Sequence, residues 1–161
     1  MKYTAVLSLV AAAFLGVFVN VWNSDPVSAE TSLDPPLELS VSQGADLYQT
    51  YCAACHGANL EGQGDWRTPG DDGRLPAPPH DETGHTWHHG DELLFAYTKL
   101  GGKELMAARG MDFDSGMPGF QDVLSDAEIW AILDYIKSTW PERVQDIQAQ
   151  HSVAEQSVED N

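Results

Sequence analysis

The sequence predicts an all-α domain, and three observations support that fold class. Apolar residues recur at helical spacing in several segments that also carry helix start or stop signals. No segment alternates apolar and polar residues as a half-buried strand would. The intervening stretches are dense in Gly, Pro and Asp, which favour loops. We therefore expect one helical domain with long loops and with tails in this chain of 161 residues.

The N-terminal segment predicts export from the cytoplasm. Residues 3–24 are uncharged and mostly apolar, and they follow the single positive charge of Lys2. We interpret residues 1–23 as a signal peptide or a membrane anchor. The run is about as long as a bilayer span of roughly 20 residues, whereas small residues up to Ala29 resemble a cleavage site. Either interpretation places the folded part on the periplasmic side, membrane-anchored or secreted into the periplasm.

The rest of the chain divides into a linker, a domain and a tail. Residues 24–40 are rich in Pro, Ser and acidic residues and are interpreted as a linker. The folded domain is assigned to residues 41–141, because Pro141 marks the end of the regular core. Residues 142–161 are expected to form a polar C-terminal tail that continues as an exposed helix.

The first two helices of the domain are predicted from their ends. The first starts after Ser42, a candidate N-cap, and ends at Gly57. The stretch 58–86 lacks periodicity, and a loop of this length commonly has a specific role such as wrapping a ligand. A second helix is predicted over Asp91–Leu100, which has acidic residues in its first turn and Lys99 in its last.

The last helix of the domain has the clearest signals. It follows a predicted loop over residues 101–120. Ser125 is its predicted N-cap, and Glu128 completes a capping box. An apolar stripe then follows at helical spacing: Ile129, Trp130, Leu133, Ile136 and Trp140.

The charge of the chain restricts its partners. Acidic residues outnumber basic ones by 25 to 8, which gives a formal net charge of -17. Such a chain repels the phosphates of nucleic acid, so nucleic acid is excluded as a partner. An acidic surface keeps a protein soluble, and it can also steer a partner protein that has a basic docking patch.

Cys52 and Cys55 are the two cysteines of the chain, and His56 follows the second. The pair suits half of a zinc site, a redox pair, a structural disulfide or a haem attachment signal. No second cysteine pair completes a zinc site, and no βαβ setting is predicted for a redox pair. Cysteines at i and i+3 of a helix form a disulfide only with distortion. C-x-x-C-H is the attachment signal of c-type haem, whose vinyl groups react with the two thiols.

Haem iron in an electron carrier normally has a second protein ligand, and methionine opposite histidine suits electron transfer. The methionines are therefore the candidates for this ligand. Met117 lies in SGMPGF, where Pro118 fixes φ and the flanking glycines permit a tight turn. Such a turn can hold a thioether over a metal. Met106 and Met111 are instead expected to fill gaps in the core.

Three motifs together resemble the class I c-type cytochromes, the monohaem family with a CxxCH motif: GADLYQTYCAACHG, MPGF and LSDAEIWAILDYIKSTW. The resemblance extends from Val41 to Trp140. It implies a small helical fold wrapped round one covalently bound haem c. It also implies that the first and last helices of the domain cross closely, with Gly44 and Tyr48 on one side and Trp130 and Tyr135 on the other.

The resemblance further implies the site residues. Cys52 and Cys55 would bind the haem covalently, and His56 and Met117 would be the axial ligands of the iron. The motif LPAPPH would contribute Pro78 and Pro79 to the haem pocket. One backbone carbonyl of this motif would accept the Nδ1–H of the histidine ligand, which fixes its tautomer and raises its basicity.

Four histidines lie outside the family pattern: His80, His85, His88 and His89. One interpretation is a polar loop over the haem edge, with Trp87 buried in the haem pocket and the imidazoles bonded to propionates or backbone. A second is a copper or zinc site formed by the last three histidines. A third is that one histidine replaces Met117 as the distal ligand.

The leading hypothesis is a monohaem carrier of single electrons between extracytoplasmic or membrane redox partners. It needs no group that moves protons or holds an organic substrate, so we do not expect an enzyme. The first alternative is a cytochrome subunit of a larger dehydrogenase or oxidase complex, tethered to the membrane through an uncleaved N-terminal segment. The others are a haem peroxidase, which requires an open sixth position on the iron, and a metal-binding module built on the histidines.

Overall fold

The computed structural model of the protein describes residues 39–159, with side chains described as far as residue 157. All regular structure in this part of the chain is helical, which confirms the all-α prediction. The helices are α1 (Val41–Tyr51), α2 (Ala53–His56), α3 (Asp91–Leu100), α4 (Gly102–Ala108), α5 (Asp126–Ser138) and α6 (Glu142–Glu159). A 3₁₀ turn over Thr86–His88 precedes α3. The predicted signal or anchor, residues 1–23, and nearly all of the linker lie outside the described residues.

Capping determines where the first helix begins. The hydroxyl of Ser40 accepts a hydrogen bond from the amide of Gln43, whose side chain accepts one from the amide of Ser40. This reciprocal capping box makes Ser40 the N-cap, so the prediction of Ser42 is wrong. The reason is that Ser40 has a glutamine three positions later, where Ser42 has Ala45.

The helices α1 and α5 cross in close contact, as the resemblance implied. A Cβ atom added at Gly44 of α1 would overlap the carbonyl oxygen of Ala131 in α5 and lie 2.6 Å from its carbonyl carbon. The ring of Tyr48, which is fully buried, lies 5.5 Å from that of Tyr135 between centroids. Trp130, on the same helix, stacks on Phe95 of α3.

The structure confirms two of the other predicted helices and corrects the predictions for one loop and for the C-terminal tail. The bounds of α3 and the capping box of α5 are confirmed. The predicted loop 101–120 contains α4, because the residues after Gly101 include good helix formers. The C-terminal tail is helical as expected, but Val144 and Gln148 of α6 are buried, so the expectation of an exposed helix is wrong for that face. Among the described residues, no helix is long and apolar enough to cross a membrane.

Candidate functional site

His56 is a buried imidazole at the end of α2 with one ring nitrogen already bonded. Its Nδ1 lies 2.8 Å from the carbonyl oxygen of Pro78, the bond that the resemblance implied. A carbonyl only accepts hydrogen bonds, so the proton is on Nδ1 and Nε2 keeps its lone pair. Burial lowers the pKa of the imidazole, although the bond to Pro78 opposes that effect. His56 therefore presents a neutral ring whose Nε2 bonds no described residue and is available to a metal.

The two thiols beside this ring are free. Cys52 is half-buried at the junction of α1 and α2, and Cys55 is exposed. The absence of a bond between them agrees with the poor geometry of an i,i+3 disulfide. Burial, and to a smaller extent Cys55, raises the pKa of the Cys52 thiol to about 11. Redox-catalytic cysteines have a lowered pKa instead, so the redox-pair interpretation is not supported.

A buried tyrosine holds the turn that carries these residues. The hydroxyl of Tyr48 donates a hydrogen bond to the carbonyl oxygen of Gly57 at 2.9 Å. Burial raises the pKa of this hydroxyl, so it remains a donor at any ordinary pH. Gly57 ends the turn with a φ of 83°, which favours glycine. The sequence signal for this role was available, because a buried tyrosine hydroxyl normally requires a partner.

The long loop after α2 folds back so that Pro78 reaches His56. The amide of Gln63 donates to the carbonyl of Ala77, and the side chain of Gln63 accepts from the amide of Ala77, both at 2.8 Å. Gly62, with a φ of 66°, lies so close to Pro78 that an added Cβ would be 2.6 Å from its carbonyl carbon. The close approach to Pro78 explains why glycine stands at position 62, and the two bonds of Gln63 to Ala77 tie the two ends of this loop together.

The other predicted pocket residues occupy a neighbouring part of this loop. Pro79 is buried, and its carbonyl oxygen accepts a hydrogen bond from the hydroxyl of Thr86. Trp87 is half-buried; its Nε1 donates to the carbonyl of Glu82, and its ring stacks on His88. The hydrogen bond of Pro78 to His56 is present in the structure. The contribution of Pro79 and Trp87 to a haem pocket stays a prediction.

Met117 lies on the irregular segment after α4, and its backbone is held against the junction of α3 and α4. Its carbonyl oxygen accepts from the amide of Gly102 at 3.3 Å, and its amide donates to the hydroxyl of Ser115 at 3.2 Å. Gly101, with a φ of 82°, leaves so little room that an added Cβ would lie 2.8 Å from the carbonyl carbon of Pro118. The turn is therefore as constrained as the sequence suggested. The assignment of Met117 as the distal ligand stays a prediction.

An ion pair joins the loop of Pro78 to the segment of Met117. The Nε of Arg74 donates to Oδ2 of Asp114 at 3.0 Å, and the Nη2 of Arg74 donates to Oδ1 of Asp114 at 3.2 Å. This bidentate contact lowers the pKa of the Asp114 carboxyl. The two residues are 40 positions apart, and no local pattern pointed to their meeting.

Met106 and Met111 were both expected to fill gaps in the core, and the structure contradicts this expectation for Met111. Met106 is partly buried in α4. Met111 is 48 % exposed, so the prediction that it fills a core gap is wrong. It follows Gly110, whose φ of 73° ends α4 and directs the chain outward.

Three of the four extra histidines pack against aromatic and other histidine rings. His85 stacks on Trp66 with 5.4 Å between centroids and meets the edge of His89 at the same distance. His88 stacks on Trp87. Within the described residues, no group of three or more His, Cys, Asp or Glu side chains is arranged to hold a metal ion. The copper or zinc interpretation is therefore not supported.

The donor set fits a covalently bound haem c. Two free thiols precede a neutral imidazole in the chain, the Nε2 of this imidazole is available, and the sixth-ligand candidate is carried by a separate constrained turn. A profile of the family described as Cytochrome c matches residues 41–140, well over half of the chain. No significant match is found among curated proteins or among solved structures. The chain therefore belongs to the cytochrome c family, whose CxxCH motif binds haem c covalently and is supplied here by Cys52, Cys55 and His56.

Proposed function

We propose that the protein is a monohaem c-type cytochrome that carries single electrons between redox partners outside the cytoplasm or in the membrane. The observation that carries the proposal is the hydrogen bond from Nδ1 of His56 to the carbonyl of Pro78, beside two free thiols. When bound, the haem iron supplies the chemistry, which is a change of oxidation state by one electron.

The chain contributes orientation and shielding to this function. The carbonyl of Pro78 fixes the tautomer of His56 and raises the basicity of its Nε2, which strengthens a bond to iron. His56 as a whole is buried, which limits the contact of its ring with water. The hydroxyl of Tyr48 holds the turn that carries both thiols. None of these roles moves a proton or binds an organic substrate, so we do not assign the protein an enzymatic activity.

An optical spectrum tests the haem and its distal ligand together. Protein made with haem-attachment machinery is expected to keep its haem after denaturation and to show a methionine-to-iron charge-transfer band when oxidised. Met117→Ala should remove that band and lower the reduction potential. Met111→Ala is the matched control, because Met111 is exposed and should leave both unchanged. A band that persists in Met117→Ala would rule out this ligand, and an open sixth position in the native protein would favour the peroxidase alternative.

We propose partners that dock through a basic patch. The formal net charge of -17 supports brief, electrostatically steered encounters. Stopped-flow electron transfer to a basic redox protein should slow as salt rises from 10 mM to 150 mM, since the Debye length falls from about 30 Å to about 8 Å. A rate that does not depend on salt over this range would remove the steering proposal.

We propose that the domain lies on the periplasmic side, since an uncharged run follows Lys2 near the N-terminus. Membrane fractionation of the full chain tests whether the protein stays attached or is released after cleavage. Co-purification with a dehydrogenase or an oxidase from solubilised membranes would favour the complex-subunit alternative. Recovery of the cytochrome alone would favour a free carrier.

A further inference from the structure

His80 lies against the ring of His56. Their ring centroids are 4.0 Å apart and their planes differ by 21°, so the two imidazoles are stacked face to face. This histidine belongs to the set that the family pattern does not explain. Because it contacts the iron ligand itself, its placement bears on the site, whereas His85, His88 and His89 pack against other rings.

The ring and backbone of His80 are held from several sides. Its Nδ1 lies 2.8 Å from the hydroxyl of Thr86, and its carbonyl oxygen accepts from Nε1 of Trp140 at 2.6 Å. Its amide donates to the carbonyl of Leu60 at 2.8 Å, and the edge of Tyr48 approaches its ring. Four separate parts of the chain thus determine where His80 lies. A side chain held in this way can restrain its neighbour instead of adapting to it.

The spacing excludes His80 as the ligand opposite His56 in this arrangement. Two imidazoles bound to opposite sides of one metal ion have centroids roughly 6 Å apart, because each metal–nitrogen bond is about 2 Å. The observed separation is 4.0 Å with nearly parallel planes. Two rings stacked face to face at this distance cannot be ligands on opposite sides of one iron, so His80 acts on His56 and not on the iron.

We propose that His80 is a positioning residue that sets the ring plane of His56, an inference that rests on the proposed haem function. The bond from Nδ1 to Pro78 restrains the ring at one edge only. The final side-chain torsion of histidine is intrinsically broad, so one edge contact leaves the ring plane free to rock. The flat face of His80 removes that freedom, and it also shields the ligand from water. The hydroxyl of Thr86 holds His80 in place.

The plane of an axial imidazole has its own spectroscopic signature. It determines how spin density is shared among the pyrrole rings of oxidised haem, and the shifts of the four haem methyl protons report it. Shielding of the ligand contributes to the reduction potential, because a less solvated site disfavours the more highly charged oxidised iron. Neither quantity responds to a loss of global stability that leaves the site intact.

The test compares His80→Ala, His80→Phe and Thr86→Val as haem-loaded proteins. His80→Ala removes the stacked face and should redistribute the haem methyl shifts and lower the reduction potential. His80→Phe retains a flat ring and should restore both towards the native values. Thr86→Val removes the hydroxyl that anchors His80, together with its longer contact of 3.5 Å to the carbonyl of Pro79, and should shift both in the direction of His80→Ala, by a smaller amount. His151→Ala, in α6, is the control and should change neither.

Methyl shifts and a potential that stay native in both His80→Ala and Thr86→Val would overturn the proposal. So would a failure of His80→Phe to restore them, since a flat ring would then not be the operative feature. If His80→Ala does not fold, the other two variants decide. Failure of the native chain to take covalent haem is a separate result, because it would overturn the proposed function before any variant is compared.

Discussion

The carboxylate of Glu155, in α6, accepts a hydrogen bond from the amide of Leu93 in the first turn of α3, at 3.3 Å across 62 positions of the chain. The hydroxyl of Ser152 accepts from the amide of Asp91 in the same turn. The N-cap of α3 is Gly90, which has no side chain that could accept hydrogen bonds from these amides. The C-terminal helix therefore caps α3 and contacts residues 80–89, the histidine loop that leads into it.

We expect Glu155→Ala to lower the free energy of unfolding by about 1 kcal/mol, the usual cost of losing a helix cap. Urea unfolding of the haem-loaded protein measures it. Gln150→Ala, at an exposed position of the same helix, is the control and should stay within about 0.5 kcal/mol of the native value. Equal losses in the two variants would mean that the bond to Leu93 does not stabilise α3.

The crossing of α1 and α5 predicts a large effect at one glycine. We expect Gly44→Ala to cost about 3 kcal/mol, the upper end for overpacking, because the new methyl group meets the rigid backbone of Ala131. Gly64→Ala is the matched control, since nothing lies within 4 Å of a Cβ atom there. Its stability should equal or slightly exceed the native value, because alanine restricts the unfolded chain. Similar stabilities of the two variants would contradict the close crossing.

The ion pair of Arg74 and Asp114 predicts an effect on the site with little effect on stability. Both side chains are about half exposed, so Asp114→Asn should change the unfolding midpoint little. It should nevertheless loosen the segment of Met117 and speed its displacement by added imidazole several-fold. Loss of the methionine-to-iron band measures that rate. Asp134→Asn, which breaks a partly exposed pair with Lys137 away from this segment, is the control. If the two variants exchange ligand at one rate, the Arg74 contact does not hold this segment.

We expect the histidine loop to lower the free energy of unfolding in acid. Burial, followed by the neighbouring histidines, lowers the pKa of both His85 and His89. The unfolded chain has the ordinary pKa of about 6.5, so it binds protons that the folded state resists as the pH falls below that value. These two groups therefore leave stability unchanged above about pH 6.5 and reduce it below.

Urea midpoints at pH 7.5 and pH 5.0 measure this effect. The double variant His85→Gln, His89→Gln removes both titrating groups and should lose less stability between the two values than the native protein. Carboxylates titrate equally in both proteins, so the difference isolates the two histidines. An identical acid loss in the two proteins would show that these rings do not contribute.

Helix ends with complete local signals were predictable. Acidic first-turn residues and following glycines located α3, and the capping box of Ser125 and Glu128 located α5. The start of α1 was misplaced because two serines compete there and only Ser40 has a glutamine in the reciprocal position. The buried face of α6 was missed because its few apolar residues leave no clear stripe.

By itself, the sequence determined the fold class, the haem attachment motif and the candidate ligands, since each depends on residues close together in the chain. Only the tertiary structure decided that His80 stacks on His56, that Arg74 meets Asp114 and that Glu155 caps α3. These pairs lie on loops and helices far apart in the chain. Their contact depends on how long loops fold back and on which faces pack, and this leaves no periodic or local pattern in the order of residues.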